Sequence, residues 1–374
     1  MSNQKKLKIL FIGDYSNLHT TLARELKRNG HEANVLSDKC GYMNLSTDFF
    51  LKRSPGIGGN FKYLFDLFNL LPKLKNYDVV QLINTNFLSL KPQKIKYFFD
   101  ILKKQNKSVF LTLAGNDYNF VKACNDAKIF RFSEFKIGEE FSPGHLANPD
   151  HLYGWLSPAN KHWSEYLLEN ISGAMAVLPE YHMPVKDILG ERVAFTNLPI
   201  DFSELPPCHH RFLDNKVNIM VGMRSGFEDM KGTKILYNIA EEIEKDLKDK
   251  VKVDLVQDVA FSEFLKRVSK SDIILDQLYS YSPAMTALYG MSMGKVVATG
   301  AQQEYYNYIG NPEIKPIFSL SPFDKNIKER LINLIDDRNE ILLRGEQGLD
   351  LVKRENDSRI VAEKFVNHWC NFLN

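Results

Sequence analysis

Cysteine is scarce in this chain and poorly placed for cooperation. Cys40, Cys124, Cys208 and Cys370 are its only four in 374 residues, and no C-x-x-C pair occurs. That spacing excludes a paired-cysteine zinc site or a redox dithiol, and it fits a reduced, intracellular compartment. Long apolar runs are missing too. The opening MSNQKKLKILFIGDYSN begins with a basic leader, as a secretory signal does, but its unbroken apolar stretch runs only from Ile9 to Ile12 and stops at Gly13-Asp14. It reads as a first β-strand. Nothing approaches the roughly 18 apolar residues of a membrane-spanning helix, so no bilayer crossing is expected. A single glycine, Gly13, follows that strand where G-x-G-x-x-G would mark an ordinary nicotinamide or flavin site. The segment GMSMGKV ends like a phosphate loop, yet it has three residues between its glycines and Val296 in place of Ser or Thr, so it is not a Walker A motif. His145, His151, His209 and His210 lack metal-ligand spacing. No metal and no cofactor are expected.

What remains is the composition of a folded globular protein, 44% hydrophobic, 25% charged and 12% aromatic. The length suggests two domains. Net charge is +2, and that small figure hides an asymmetry. Residues 1–110 hold eighteen Lys and Arg against eight Asp and Glu, a surplus of ten, which leaves the remainder at −8. A basic first part suits an anionic partner, whether a membrane surface, a phosphate-bearing acceptor or nucleic acid, of which nucleic acid is not expected; a solvated lysine-rich face is the plainer reading.

Strands alternate with helices. Apolar runs at Leu7 to Ile12, Ala33 to Leu36, Asp78 to Ile83, Ser108 to Leu113, Gly173 to Leu178 and Val193 to Leu198 read as strands. Leu18, Leu22 and Leu26 mark a helix that Gly30 stops, and Pro92 opens another that carries Ile95, Phe98, Phe99 and Leu102 on one face. Asp126 to His162, rich in Gly, Pro and polar residues, reads as loops with short helices. The proline-rich stretch from Pro206 to Asn215 reads as a domain boundary. A second series follows, with strands at Val217 to Val221, Val251 to Val256, Asp272 to Leu275 and Val296 to Thr299, and helices at Lys231 to Leu247, Phe261 to Val268 and Pro283 to Met293. The expected class is α/β, two Rossmann-like, doubly wound domains facing a cleft. The expected limits are 1–205 for the first domain and 206–355 for the second, with 356–374 a C-terminal helix packing back on the first.

Ligands of open parallel sheets collect beyond the carboxyl ends of the strands. One such place is DQLYSYSPAMTALYGMSMGKVVATG, from Asp276 to Gly300, which contains one carboxylate and no His or Cys. Ser282-Pro283 reads as a helix start, whose free amides and positive dipole end bind phosphate without a charged side chain. An ordinary capped core helix is the plainer alternative, since Met285, Leu288 and Met291 are packing residues. GMRSGFEDMKGTK, after the Val217 strand, adds Arg224 and Lys231, a planar donor fork and a mobile point charge suited to a diphosphate. Asn84 and Asn86, and Asn116 and Asp117, follow two strands of the first domain and either line the cleft or serve as turn residues. His19, after the first strand, either meets substrate or is structural.

VNIMVGMRSGFEDMKG, Val217 to Gly232, resembles the strand, Gly-Arg loop and Lys-Gly helix start of GT-B glycosyltransferases, especially glycosyltransferase family 4. Asp272 to Gly300 resembles that family's strand, donor loop, helix and "GKPV" strand, here Gly294-Lys295-Val296-Val297. GHEANVL at the second strand and LAGND at Leu113 to Asp117 fit the family's N-terminal domain. The resemblance implies a nucleotide-sugar held mainly on the second domain, near Gly222, with Arg224 and Lys231 on its diphosphate. The amides of Ser282, Ala284, Met285 and Thr286 would lie close by. It also implies a retaining transfer that needs no metal, to a glycan or lipid-linked acceptor. The expected location is cytoplasmic, and the basic first domain adds an expected contact with a membrane's inner face. The absence of D-x-D argues against the metal-dependent GT-A type. One departure stands out: the family's two glutamates, with seven residues between them, align with Tyr281 and Tyr289. Asp276 or Glu304 is the expected partial substitute. The double loss leaves two rivals open, an inactive GT-B-like binding or scaffold protein and a nucleotide-sugar epimerase.

Overall fold

A computed structural model describes residues 6–38, 47–206, 212 and 215–373. Cys40, Cys208, His209, His210 and most of the expected boundary at 206–215 lie outside the described residues. The chain divides into two compact units. One comprises Met1–Val121, Trp155–Pro199 and Ser358–Asn374; the other comprises Lys122–Gly154 and Ile200–Asp357.

The first unit is built on a seven-stranded, all-parallel sheet. In chain order its strands are β1 (Lys8–Ile12), β2 (Glu32–Ser37), β3 (Phe49–Phe50), β4 (Val79–Leu82), β5 (Ser108–Leu113), β8 (Gly173–Ala176) and β9 (Val193–Phe195). Across the sheet they run β3-β2-β1-β4-β5-β8-β9. Every residue of β4 and β5 is buried, as a parallel sheet covered on both faces requires. The helices of this unit include α1 (Leu18–Arg28), α2 (Gly56–Leu70) and α3 (Pro92–Gln105). Gly30 ends α1 as read, at φ +88°, with the His31 amide reaching back to Leu26 O. Helix α2 and strand β3 have no counterpart in the sequence reading. The C-terminal helix Ser358–Phe372 belongs to this unit.

A directional chain of hydrogen bonds crosses the core of the first unit. Trp369 Nε1 donates to Gln81 Oε1 at 2.8 Å, and Gln81 Nε2 donates to Thr112 Oγ1 at 2.9 Å. Thr112 Oγ1 lies 3.0 Å from His19 Nε2, whose Nδ1 lies 2.7 Å from Gly13 O. A carbonyl only accepts, so Nδ1 carries the imidazole proton and Nε2 accepts from the threonine hydroxyl. Burial holds the His19 pKa down at about 3. The expectation that His19 meets substrate is therefore corrected. Helix α1 starts at Leu18, and the ring turns fully into the core.

The second unit carries a parallel sheet of β10 (Val217–Met223), β11 (Val251–Gln257), β12 (Ile273–Leu275), β13 (Val296–Thr299) and β14 (Phe318–Ser319), in the order β11-β10-β12-β13-β14. Its core gathers Ile219, Val221, Leu236, Ile273, Leu275, Val296 and Leu331. The helix read as Lys231 to Leu247 is two helices, Glu228–Lys231 and Thr233–Asp246, broken at Gly232, where φ is +68°. The expected domain limits also need correction. Residues 122–154, read as part of the first domain, group with the second, and they contain the antiparallel pair β6 (Lys136–Ile137) and β7 (Glu140–Phe141).

His19 gives a test of the first core. Its pKa is depressed in the fold, so its contribution to stability is present above about pH 6.5 and is lost as pH falls toward 3. The stability of the wild type should fall relative to His19→Gln by about 1.4 kcal/mol per pH unit below pH 6. Denaturant unfolding at several pH values measures this, and parallel profiles would show that the imidazole is not held neutral.

Candidate functional site

In the second sheet β10 turns one way to β11 and the other way to β12, so the carboxyl ends of β10 and β12 form its topological switch point. Gly222 is the penultimate residue of β10, half-exposed, and a Cβ there would approach Thr286 Cγ2 to 3.4 Å. Thr286 stands in the first turn of the helix Met285–Ser292. Lys231 closes the short helix Glu228–Lys231, and its carbonyl accepts from the Leu278 amide at 2.8 Å. That bond draws the loop after β10 onto the loop after β12.

Asp276, just beyond β12, sits beneath this group at 4% exposure. Burial raises its pKa, while the Lys231 charge and hydrogen bonds from Thr299 and Thr286 oppose the rise. Thr299 Oγ1 donates to Asp276 Oδ2 at 3.3 Å. Asp276 thus ties the end of β12 to Thr299 of β13 and to Thr286, with Lys231 near enough for its charge to counter the effect of burial. Arg224 is exposed, with its guanidinium 4.4 Å from the centroid of the Phe227 ring. The loop that carries it is held to the end of β11 by the Ser225 amide on Asp258 and by Gln257 Nε2 on Ser225 Oγ.

The helix start differs from the sequence reading. Its N-cap is Ala284, and no side chain caps it. Ser282 is completely buried and stands two residues outside the cap, so it cannot present amides as a first-turn residue would. Ala284, Met285 and Thr286 are half-exposed, and their end of the helix is the one that carries free N–H groups and positive dipole.

The two tyrosines at the family's glutamate positions have different surroundings. Tyr281, 2% exposed, accepts from the amides of Arg131 at 2.5 Å and Phe132 at 3.2 Å. Its ring stacks on Phe132 at 4.6 Å. Glu304 receives the Arg131 guanidinium at 3.3 Å on each carboxylate oxygen. Both residues, expected to touch donor, hold residues 122–154 to the second unit. Further along the same segment, helix Pro143–Ala147 meets helix Glu228–Lys231 so closely that a Cβ on Gly144 would come within 2.6 Å of Met230 Cα. Tyr289 is buried with its ring against the edges of Phe261 and Phe264, at 5.3 and 6.1 Å.

In the first unit the candidates separate in the same way. Asn84 Nδ2 donates to Ala114 O and Asn116 O, and its Oδ1 accepts from the Asn86 amide, so it braces two loops. Asp117 accepts from the Phe120 amide at 2.8 Å and is a helix-start residue, its pKa pushed up to about 6 by burial. Asn86 Oδ1 is buried with no partner among the described residues, and Asn116 is half-exposed. Sequence reasoning missed Arg131 and Phe132, which stand in a stretch with no periodic signal.

No family model matches the sequence, and no curated protein does. Solved structures do. Sucrose-phosphate synthase from Thermosynechococcus elongatus superposes with a TM-score of 0.62 at 11% identity, covering 98% of this chain and 99% of that one. HepE of Anabaena, in complex with UDP and glucose, gives 0.61 at 12% identity over 98% and 100%. A putative UDP-N-acetylglucosamine 2-epimerase from Listeria monocytogenes gives 0.58 at 11% identity over 97% and 95%. The fold is GT-B. Within a GT-B chain, the switch point of the second sheet is where Gly222, Lys231, Asp276 and Thr286 meet. The GT-B likeness extends to a protein named as an epimerase, so the fold alone does not fix the reaction.

Removing the Tyr281 hydroxyl leaves two amides without their acceptor. Tyr281→Phe should destabilise the second unit by about 1–3 kcal/mol. It should also speed hydrogen exchange at Arg131 and Phe132 while the amides of β10 and β12 stay protected. Unchanged exchange at those two amides would mean that the hydroxyl does not hold the segment.

Proposed function

We propose that the protein is a glycosyltransferase. It moves a sugar, with retention of configuration, from a nucleotide-sugar to a glycan or lipid-linked acceptor in bacterial surface polysaccharide synthesis, on the cytoplasmic side of a membrane. The observation that carries this reading is the convergence of Lys231, Thr286 and the uncapped start of helix Met285–Ser292 beside the open backbone at Gly222. Such a group receives a diphosphate. The helix end supplies amides, Lys231 supplies charge, and Gly222 has no side chain to block close approach. Arg224, exposed on a tethered loop, adds a bidentate donor fork. Retention follows from the resemblance alone.

Stabilising the departing nucleoside diphosphate is then the main catalytic contribution, and neither a protein nucleophile nor a metal is invoked. Asp276 acts as a positioning residue: it accepts from Thr299 and Thr286 beneath the helix start, and the Lys231 charge offsets the cost of its burial. Among the described residues no group of three His, Cys, Asp or Glu side chains is placed to hold a metal ion.

The binding-protein alternative has one specific observation in its favour. The Tyr281 hydroxyl and the Glu304 carboxylate are both engaged by Arg131 and its neighbour, so neither stands ready to replace a family glutamate. Epimerisation would need an acid-base side chain at the site, and His19, whose two ring nitrogens are both engaged in the core, does not supply one.

Replacing a charged donor to a developing phosphate charge should cost about 3 kcal/mol, roughly a hundredfold in rate. Arg224→Ala and Lys231→Ala should each lower nucleoside diphosphate release from a nucleotide-sugar by that factor while thermal unfolding stays cooperative. A panel of nucleotide-sugars screened by thermal shift identifies the donor first. If no nucleotide or nucleotide-sugar raises the melting temperature of the folded wild type, the binding-protein reading replaces this one. Near-normal turnover in either variant would remove that residue from the site.

A further inference from the structure

Helix α2 carries a stripe that the fold does not use. It buries Tyr63 and Leu67. Ile57, Phe61, Phe65 and Phe68, at i, i+4, i+8 and i+11, lie along one side of the helix and are 77%, 71%, 66% and 46% exposed. Four large apolar side chains in one exposed row form a patch of the kind that marks an interaction surface. The row continues onto α3, where Tyr97, 55% exposed, has its ring 6.4 Å from that of Phe68.

The charge around the row says what covers it. Lys94 and Lys104 stand at i−3 and i+7 from Tyr97, on the same face of α3, and both are exposed. Lys52, Arg53, Lys73 and Lys91, also exposed, flank the ends of the two helices. Between residues 47 and 107 the acids are Asp48, Asp66, Asp78 and Asp100, and each is already paired, with Lys27, Lys62, Lys107 and Lys96 in turn. None of the six flanking cations has an acidic partner among the described residues. An apolar row bordered by uncompensated cations matches the boundary between acyl chains and anionic headgroups. A second copy of the chain meeting this face about a two-fold axis would oppose cation to cation.

We propose that α2 lies in the interface of an anionic phospholipid bilayer, with Ile57, Phe61, Phe65 and Phe68 entering the acyl boundary and the flanking lysines at the headgroups. Only the membrane location is shared with the function proposed above. Transfer to a soluble acceptor could fail while this holds, and the reverse.

The test is co-sedimentation with phosphatidylglycerol-containing vesicles and with pure phosphatidylcholine vesicles at about 0.1 M salt. The full chain should pellet with the first and not with the second. Phe61→Ser combined with Phe65→Ser should weaken binding at least about tenfold with no loss of melting temperature, because both side chains are exposed. Lys94→Glu combined with Lys104→Glu should weaken binding and flatten its salt dependence. Phe65→Trp should report insertion by a blue shift in emission, relative to the wild type, when vesicles are added. The inference is overturned if the wild type does not pellet with anionic vesicles, if the double serine variant binds as the wild type does, or if the emission of the Phe65→Trp variant does not move. It is also overturned if the wild type self-associates in the absence of lipid through this face, shown by a dimer that the double serine variant abolishes.

Discussion

The core of the first unit depends on one buried line of protons running from Trp369 through Gln81 and Thr112 to His19 and Gly13. Each member has one direction open to it, because the indole only donates and the backbone carbonyl only accepts. The line joins the C-terminal helix to β4, β5 and α1, elements far apart in sequence. A buried polar chain of this kind is costly unless complete, and here it is complete. It therefore specifies the docking of the last helix more sharply than apolar packing alone would. It also removes from chemistry the one histidine that sequence position recommended.

A comparable economy governs the second unit. Residues 122–154 leave the first unit's course and are held to the second by the Tyr281 hydroxyl, the Arg131–Glu304 pair and the close approach of Gly144 to Met230. A glutamate in place of Tyr281 could also accept from those amides, but it would lose the ring stacked on Phe132. Tyrosine at that position is thus suited to anchoring a segment, and the electrostatics of the switch point fall to Lys231, Asp276 and the helix end.

Much of the fold was legible locally. The parallel strands announce themselves as short apolar runs buried on both faces, and Gly30 and Pro92 punctuate helices for reasons of backbone geometry. β13 falls at the residues read for it, Val296 to Thr299. Helix α2 escaped because its pattern is misleading: the apolar stripe that would predict a packed face is the exposed one, and the buried face is narrow. Of the candidate site, the loop of Arg224 and Lys231 could be read from glycine, serine and charge after a strand. The roles of the residues around it could not.

Sequence alone settled the α/β class, the alternation of elements and the position of the loop of Arg224 and Lys231 after β10, since each rests on interactions within a few residues. The allegiance of residues 122–154 and the duty of Tyr281 rest on a hydrogen bond across 150 positions. Asn84, Asp117 and His19 became braces, cap and core through contacts made only when separate strands lie side by side. A residue type states what bonds are available to a side chain. Which of them is made depends on the neighbour that folding brings within about 3 Å.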